Sequence, residues 1–259
     1  MKFDWLPFLK SGKSKTPKAL PPDLRLYAIG DIHGRLDLLA RMHDLIREDA
    51  RHASEGVTKR IIYLGDYIDR GLDSRGVIDA LLEPIPGFER VFLMGNHEEA
   101  LLRFLEEPEF GPMWCSVGGD ETLMSYGVHL SRELKSQEER FEKARGDLDA
   151  QLPAEHRAFL QRLDLCHDVD PYFFVHAGVR PQRPLSRQTR DDLLWIRDEF
   201  LLWDGAFEKI IVHGHTPTNE PEVRPNRIGI DTGAYATSAL TCLVLEGTER
   251  RFLSTKKHA

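Results

Sequence analysis

A strand, a polar loop and a helix follow one another three times in the first half of this chain. Apolar runs at Leu24–Ile29, Arg60–Leu64 and Arg90–Met94 have the composition of buried strands, and each is followed by a segment whose apolar residues recur at helical spacing. Strands that alternate with helices form layered folds in which helices cover a mostly parallel sheet. The repeat therefore predicts an α/β fold.

The pattern changes in the middle of the chain, where about residues 106–165 lack strand character. Two charged helices are predicted there, over Gln137–Leu148 and Ala154–Leu163, so we expect a helical insertion. After it, one helix is predicted over Asp191–Leu201. Strands resume at Tyr172–Val175, Lys209–Val212, Arg227–Ile230 and Leu240–Leu245.

The charge balance and the cysteine content exclude several classes of protein. The chain has 35 basic and 42 acidic residues, a net charge of -7, which is the wrong sign for a partner with a nucleic-acid backbone. Its three widely spaced cysteines indicate neither a disulfide framework nor a cysteine-based zinc site. No apolar run approaches the roughly 18 residues needed to span a bilayer. We expect a cytoplasmic protein without stable membrane association.

The first 22 residues differ from the remainder of the chain. They contain five lysines against one aspartate and end in two prolines, a composition typical of a loose terminal segment. We therefore predict a basic flexible tail at residues 1–22 and one catalytic domain over residues 23–259.

Five polar clusters follow predicted strands directly. In open α/β sheets the loops after the carboxyl ends of the strands share one edge, where ligands bind, so these clusters can converge although they are far apart in sequence. Glycines in them allow the backbone to approach a ligand closely. The clusters are Gly30–Gly34, Gly65–Gly71, Gly95–Glu98, His176–Gly178 and His213–Thr216.

The side chains in these clusters suit hard or borderline metal ions. Carboxylate, imidazole and amide groups without thiolates favour manganese, iron or zinc in an open catalytic site. Six candidates exceed what one catalytic ion requires, which indicates two divalent ions, and pairs of ions suit in-line attack on phosphorus. We expect manganese first, with iron or zinc as alternatives. The candidate ligands are Asp31, His33, Asp66, Asn96, His176 and His215.

The order of the motifs GDIHGR, GDYIDRG, GNHE, VHAG and HGHTP resembles the metallophosphoesterase (calcineurin-like) superfamily. Within it, the chain is most similar to the phosphoprotein phosphatase branch, in its bacterial serine/threonine protein phosphatase form, over about residues 24–246. The resemblance implies a four-layer α/β/β/α sandwich around a dinuclear metal centre. It also implies that Asp66 bridges two ions, the first held with Asp31 and His33 and the second with Asn96, His176 and His215.

The same resemblance assigns roles to four further residues. His97 matches the family's general acid and Asp69 the residue that orients it, while Arg70 and Arg197 match arginines that grip the phosphate. A planar guanidinium suits that role because it offers paired donors to two oxygens. Some relatives have an arginine where this chain has Met94, so one phosphate contact is expected to be missing or supplied elsewhere.

The function implied is metal-dependent hydrolysis of phosphomonoesters, first of all phosphoserine and phosphothreonine in proteins or peptides, by attack of a metal-bridging hydroxide. A diadenosine-tetraphosphate hydrolase is the alternative, because it shares these motifs, but its substrate calls for an additional basic patch. The insertion does not offer one, since residues 131–150 contain five basic and six acidic side chains. A non-catalytic scaffold would have lost ligand residues, and none is lost here.

Overall fold

The computed structural model describes residues 19–256, except residues 55, 132 and 135, and its centre consists of two five-stranded sheets. The first sheet has the order β10-β9-β1-β2-β3 and the second the order β4-β5-β6-β8-β7. The strands are β1 (Leu24–Ile29), β2 (Thr58–Tyr63), β3 (Glu89–Phe92), β4 (Cys166–Val169), β5 (Tyr172–Val175), β6 (Ile210–His213), β7 (Glu222–Val223), β8 (Arg227–Gly229), β9 (Thr241–Glu246) and β10 (Glu249–Ser254).

Helices cover the outer face of each sheet. Short 3₁₀ helices over Pro108–Phe110 and Leu185–Arg187 complete the connections. The α-helices are α1 (Leu36–Ala50), α2 (Ser74–Leu82), α3 (Asn96–Glu106), α4 (Gly111–Ser116), α5 (Gly119–Ser125), α6 (Gln137–Gln151), α7 (Ala154–Gln161), α8 (Arg190–Trp195), α9 (Asp198–Leu201) and α10 (Ala234–Thr237).

The strands that precede the polar clusters run parallel within each sheet. β1 pairs with β2 and β2 with β3 in parallel, and β5, β6 and β8 do the same in the second sheet. Strands β9 and β10 add to the first sheet as an antiparallel hairpin. Parallel pairing brings the carboxyl ends of the strands to one edge, which is what the predicted site requires.

Three apolar cores hold the layers together. One lies between the two sheets and contains Leu26 and Ala28 of β1, and the other two lie between each sheet and its helices. All six residues of β1 are buried, because that strand has a core on both faces. The arrangement of helix, sheet, sheet and helix confirms the predicted α/β/β/α sandwich.

The predicted helical insertion contains α4 to α7 and packs against the helical face of the first sheet. Trp114, Leu123 and Leu148, each at most 1% exposed, belong to the same core as Leu39 and Ile46 of α1. The segment is therefore part of the helical layer that packs on the first sheet, and it supports the polar loops from that layer.

The structure corrects the prediction of one helix over Asp191–Leu201. Two short helices, α8 and α9, are separated by an extended Ile196 and by Arg197, whose φ is -131°. Ile196 and Phe200 keep the spacing of a continuous helix and pack in the same core on the second sheet, so apolar periodicity does not indicate the break between α8 and α9.

Of the predicted basic tail, residues 1–18 lie outside the described residues. Leu20 is 3% exposed and packs between the sheets, and its N–H donates to Gly247 O at 2.8 Å. The edge strands β4, β7 and β10 were not predicted, because each contains at most two apolar residues.

Candidate metal centre

The predicted polar clusters meet at the carboxyl-terminal edge of the sheets. Two groups of buried side chains there have ligand atoms within 4.8 Å of one another, and Asp66 belongs to both. One group contains His33, Asp66 and His97, and the other contains Asp66, His176 and His215. Loops from β1, β2, β3, β5 and β6 supply these residues, and β2, which precedes Asp66, lies between β1 and β3 in the first sheet.

Several of these residues have a left-handed backbone. The φ angles are 48° at His33, 51° at Asp66, 71° at Asp69, 65° at Arg70 and 65° at His215. Each such non-glycine residue costs about 1 kcal/mol or more, so it persists only where the surroundings enforce it. The strain is concentrated where side chains from distant loops are aimed at one point.

Carbonyl groups orient two of the histidines. His33 Nδ1 lies 2.9 Å from Ile68 O, and His176 Nδ1 lies 2.9 Å from Leu64 O. Because a carbonyl only accepts, each Nδ1 carries the proton and each Nε2 presents a lone pair to the centre of the site. This is the arrangement of a metal-binding imidazole whose second nitrogen is fixed by a neighbour.

Acceptor atoms crowd together on the second side of the site. His176 Nε2 is 2.9 Å from Asn96 Oδ1 and 3.2 Å from His215 Nδ1, and Asn96 Oδ1 is 2.7 Å from His215 Nδ1. His215 Nε2 is buried without a hydrogen-bond partner. With His176 in the tautomer set by Leu64, these atoms have too few protons to satisfy one another, so a cation fits among them.

Buried carboxylates lead to the same conclusion. Asp31, 2% exposed, has a pKa raised well above its usual value by burial and by the neighbouring carboxylates of Asp231 and Asp66. Burial and the charge of Asp66 also raise the pKa of Asp231 to about 6, although the hydrogen bond that Asp231 accepts from the Gly233 N–H lowers it in part. Buried negative charges of this kind need protons or cations, and the donor set here suits divalent ions.

Asp31 and His97 both lie next to His33 and Asp66, but only His97 has a ligand atom close enough to group with that pair. The group around His33 and Asp66 contains His97, whereas Asp31 lies beside it and accepts the backbone N–H of His215 at 3.0 Å. Asp31 remains a carboxylate at the edge of the same cavity, and both residues are buried.

His97 and Asp69 lie in hydrogen-bond contact beneath the site. His97 Nδ1 is 2.6 Å from Asp69 Oδ2, and that carboxylate also accepts from Trp114 Nε1 at 2.8 Å and from Thr122 Oγ1 at 2.5 Å. Burial alone would lower the pKa of His97, but the carboxylates of Asp66 and Asp69 outweigh it and raise the pKa. The two carboxylates thereby favour the protonated form of the imidazole.

Glu98 was not among the predicted site residues, although it anchors the loop that carries Asp66. Its fully buried carboxylate accepts the backbone N–H groups of Gly95, Asp66 and Tyr67 at 2.8 to 2.9 Å. Burial and the charge of Asp66 raise the pKa of Glu98 to about 8. The available signal was its position three residues after Gly95, where a glutamate caps the start of a helix.

Tyr235 is a second residue that the motifs did not indicate. Its ring centroid lies 5.5 Å from the His33 ring and 4.8 Å from the Arg70 guanidinium carbon. Arg70 Nη1 is 3.1 Å from His33 Nε2, and Arg70 Nε donates to Val117 O at 3.3 Å. Arg70 therefore lies beside the site, between the end of α4 and the face of the Tyr235 ring.

Arg197 lies at the exposed rim on the opposite side. Its Nη1 donates to Thr216 Oγ1 at 3.5 Å, one residue beyond His215. Burial, the neighbouring His176 and the charge of Arg197 together lower the pKa of His215 to about 2, so its imidazole stays neutral. His213, the last residue of β6, points away and stacks edge-on against Phe200.

The fold and the site define a metal-dependent phosphoesterase, and the comparison with protein families agrees. The calcineurin-like phosphoesterase family matches residues 24–242, so the chain belongs to that family. None of the helices in the described part of the chain is both long enough and apolar enough to cross a membrane.

Individual relatives carry two different names. A bis(5'-nucleosyl)-tetraphosphatase PrpE of Halalkalibacterium halodurans is 24% identical over 241 residues, covering 83% of this chain and 87% of the relative. Serine/threonine-protein phosphatase 2 of Escherichia coli is 26% identical over 225 residues, with 83% and 90% covered. The crystal structure of a candidate diadenosine tetraphosphatase matches the fold with a TM-score of 0.59 at 22% identity, covering 90% of this chain and 95% of that one.

Proposed function

We propose that the protein is a two-metal phosphomonoesterase whose substrates are phosphoserine and phosphothreonine in proteins. The observation that carries the proposal is the His97–Asp69 pair, at 2.6 Å, beside two ligand groups that share Asp66. A proton donor next to a pair of cation sites suits hydrolysis of an ester whose leaving alkoxide must be protonated.

Separate residues would bind the metal ions, bind the phosphate and supply the proton. Asp66 would bridge two divalent ions, proposed to be manganese, with Asp31 and His33 on one side and Asn96, His176 and His215 on the other. Bound there, such ions would activate water and neutralise the phosphoryl oxygens. Arg70 and Arg197 hold two of those oxygens from opposite sides of the site. As water adds to phosphorus and the P–O bond breaks, His97 Nε2 gives its proton to the leaving oxygen, and Asp69 stabilises the cationic imidazole beforehand.

The charges at the rim support a substrate with one phosphate. The loop before Arg197 contains four further arginines, and three of them form ion pairs: Arg180 with Asp192 and Glu199, Arg183 with Asp192, and Arg190 with Glu99. Only Arg187 is exposed without an ion pair among the described residues, so this loop adds about one unpaired positive charge to the rim, less than a chain of four phosphates calls for.

A dinucleoside tetraphosphatase is the second candidate, because several relatives with 24 to 28% identity, among them those of Halalkalibacterium halodurans and Bacillus mycoides, carry that name. The two functions differ in the charge of the substrate and in the leaving group, and both would use the same metal ligands.

A side-by-side assay decides between them. We expect a higher kcat/KM for phosphopeptides with basic neighbours than for diadenosine tetraphosphate, and a preference of about tenfold or more for the dinucleotide would favour the second candidate. Chelation should abolish hydrolysis of an aryl phosphate, and added manganese should restore it more fully than iron or zinc. Full activity in protein shown to be free of metal would refute the two-metal proposal.

A further inference from the structure

A groove of about 620 Å³ begins where the candidate metal centre ends. Tyr235 forms the border between them, since one edge of its ring meets His33 and its face meets Arg70. The groove is lined by Leu36, Ala40, Leu72 and Tyr235, by the backbone at Gly34 and Gly71, and by four charged residues considered next.

The groove presents apolar groups to solvent. Leu72 is 81% exposed and Tyr235 is 40% exposed, which places two large hydrophobic side chains in water beside the site. Two charged residues of the lining pair with each other, since Arg35 forms two 2.8 Å hydrogen bonds to Asp37. Asp73 accepts the Gly76 N–H at the start of α2, and Arg70 contacts Val117 and His33. A ligand would therefore find mainly apolar surface there.

The walls of the groove are fixed before any ligand arrives. Gly71 and Gly34 pack back to back, and a Cβ at Gly71 would lie 2.1 Å from His33 O. On the other wall, Arg35 Nη1 donates to Ala234 O at 3.0 Å and so holds the segment that carries Tyr235. A rigid groove loses little entropy on binding.

The position of the groove indicates which part of a substrate would enter it. His97, the proton donor of the proposed function, packs edge-on against His33 at 4.7 Å between ring centroids, and Tyr235 packs against the same ring. The leaving oxygen must lie near His97, so the alcohol attached to it can extend past His33 toward Tyr235. The phosphate would remain with Arg70 at the inner end.

We propose that the groove between Tyr235 and Leu72 binds an apolar group on the alcohol portion of the substrate. The inference rests on the proposed function for the placement of the phosphate, but it concerns binding and can be measured without turnover. It makes Leu72 a specificity-determining residue that contacts the substrate outside the reacting atoms.

The test uses two phosphonates that differ only in apolar length. Ethylphosphonate and hexylphosphonate cannot be hydrolysed at the C–P bond, and their dissociation constants can be measured by calorimetry with the manganese-loaded protein. We expect hexylphosphonate to bind at least about tenfold more tightly, because four further methylenes leave water. Leu72→Ser should remove most of that preference and leave ethylphosphonate binding unchanged. Leu202→Ser is the matched control, because Leu202 is 77% exposed and does not line the groove.

The outcomes separate this inference from the proposed function. The proposed role of the groove would be refuted if the two phosphonates bound equally. It would also be refuted if Leu72→Ser and Leu202→Ser affected the preference alike. A length preference that only Leu72→Ser removes would establish the groove. If that same preparation failed to hydrolyse any phosphomonoester, the proposed function would be wrong while the binding groove remained.

Discussion

The two sides of the candidate metal centre are supported differently. On the side of His97, the carboxylate of Asp69 receives hydrogen bonds from Trp114 in α4 and Thr122 in α5, and all of these groups are buried. On the side of His176 and His215, the ligands follow strand ends directly, and the nearest cation, Arg197, is exposed with one 3.5 Å hydrogen bond.

The difference indicates that one side of the site fixes the orientation of His97 and the other side leaves room for the substrate to enter. Proton transfer requires a donor held in one orientation, and the helices of the insertion supply the hydrogen bonds that hold it. Substrate entry requires an open rim, where an exposed arginine can reach the phosphate without a fixed partner. We therefore expect variants on the first side to lower kcat and variants on the second side to alter binding as well.

The largest effect is expected where the two sides meet. Asp66→Asn removes the charge shared by both ligand groups, and activity on an aryl phosphate should fall by more than about 10³-fold together with metal content. Elemental analysis and turnover of the purified variant measure both. Normal metal content with a tenth or more of the activity would show that Asp66 is not the bridging ligand.

On the supported side, His97→Asn should keep the bound metal but lower kcat for a phosphoserine peptide by about 10²- to 10⁴-fold. The loss should be smaller for nitrophenyl phosphate, whose leaving group needs no proton. Equal losses on both substrates would argue against general-acid catalysis. Loss of metal would instead make His97 a ligand, as its position beside His33 and Asp66 allows.

On the open side, Arg197→Ala should cost about 2 to 4 kcal/mol of transition-state stabilisation, measured from kcat/KM for a phosphopeptide. Because the arginine contacts the phosphate in the bound substrate too, KM should rise as kcat falls. Arg197→Lys, which keeps the charge without the planar fork, should recover part of the loss. An unchanged KM in the alanine variant would contradict the assignment of this side to binding.

A smaller effect tests the insertion itself. Trp114→Phe keeps an aromatic ring in the core but removes the hydrogen bond to Asp69, so kcat for a phosphopeptide should fall about tenfold. KM should stay constant, and nitrophenyl phosphate should be affected less. Phe104→Leu is a suitable control, because Phe104 packs against Trp114 without contacting Asp69. A rise in KM comparable to the fall in kcat would remove the distinction between the two sides.

The smallest effect on activity is expected for His43, which lies in α1 away from both sides and pairs with Tyr63 at 2.9 Å. Burial lowers the pKa of His43 to about 4 from its ordinary 6.5. The unfolded chain therefore takes up the proton first, and stability is lost as pH falls from about 6.5 to 4, by up to about 3 kcal/mol.

His43→Gln should reduce this pH dependence without changing activity at neutral pH. Denaturant unfolding of both proteins at pH 7 and pH 5 gives the loss in the free energy of unfolding between the two pH values, which should be smaller in the variant. If both proteins lost the same free energy of unfolding from pH 7 to pH 5, another buried histidine would dominate the acid destabilisation.

The sequence by itself determined the layered α/β fold and most of the candidate ligands. Asp31, Asp66, Asn96, His176 and His215 follow strands directly, and the register of a parallel sheet brings such positions to one edge whatever lies between them. Alternation of strands and helices is a local property, so periodicity and turn residues were sufficient to predict it.

Only the tertiary structure decided what surrounds those ligands. Trp114 and Thr122 reach Asp69 from 45 and 53 residues away, and nothing in their local sequence indicates a partner at that distance. The break at Arg197 likewise has no local signal, because Ile196 and Phe200 keep helical spacing across it. Tyr235 borders the groove because Arg35, 199 positions away from Ala234, holds its segment in place. Long-range packing and hydrogen bonds override local periodicity at such points, and they position both His97 and the groove.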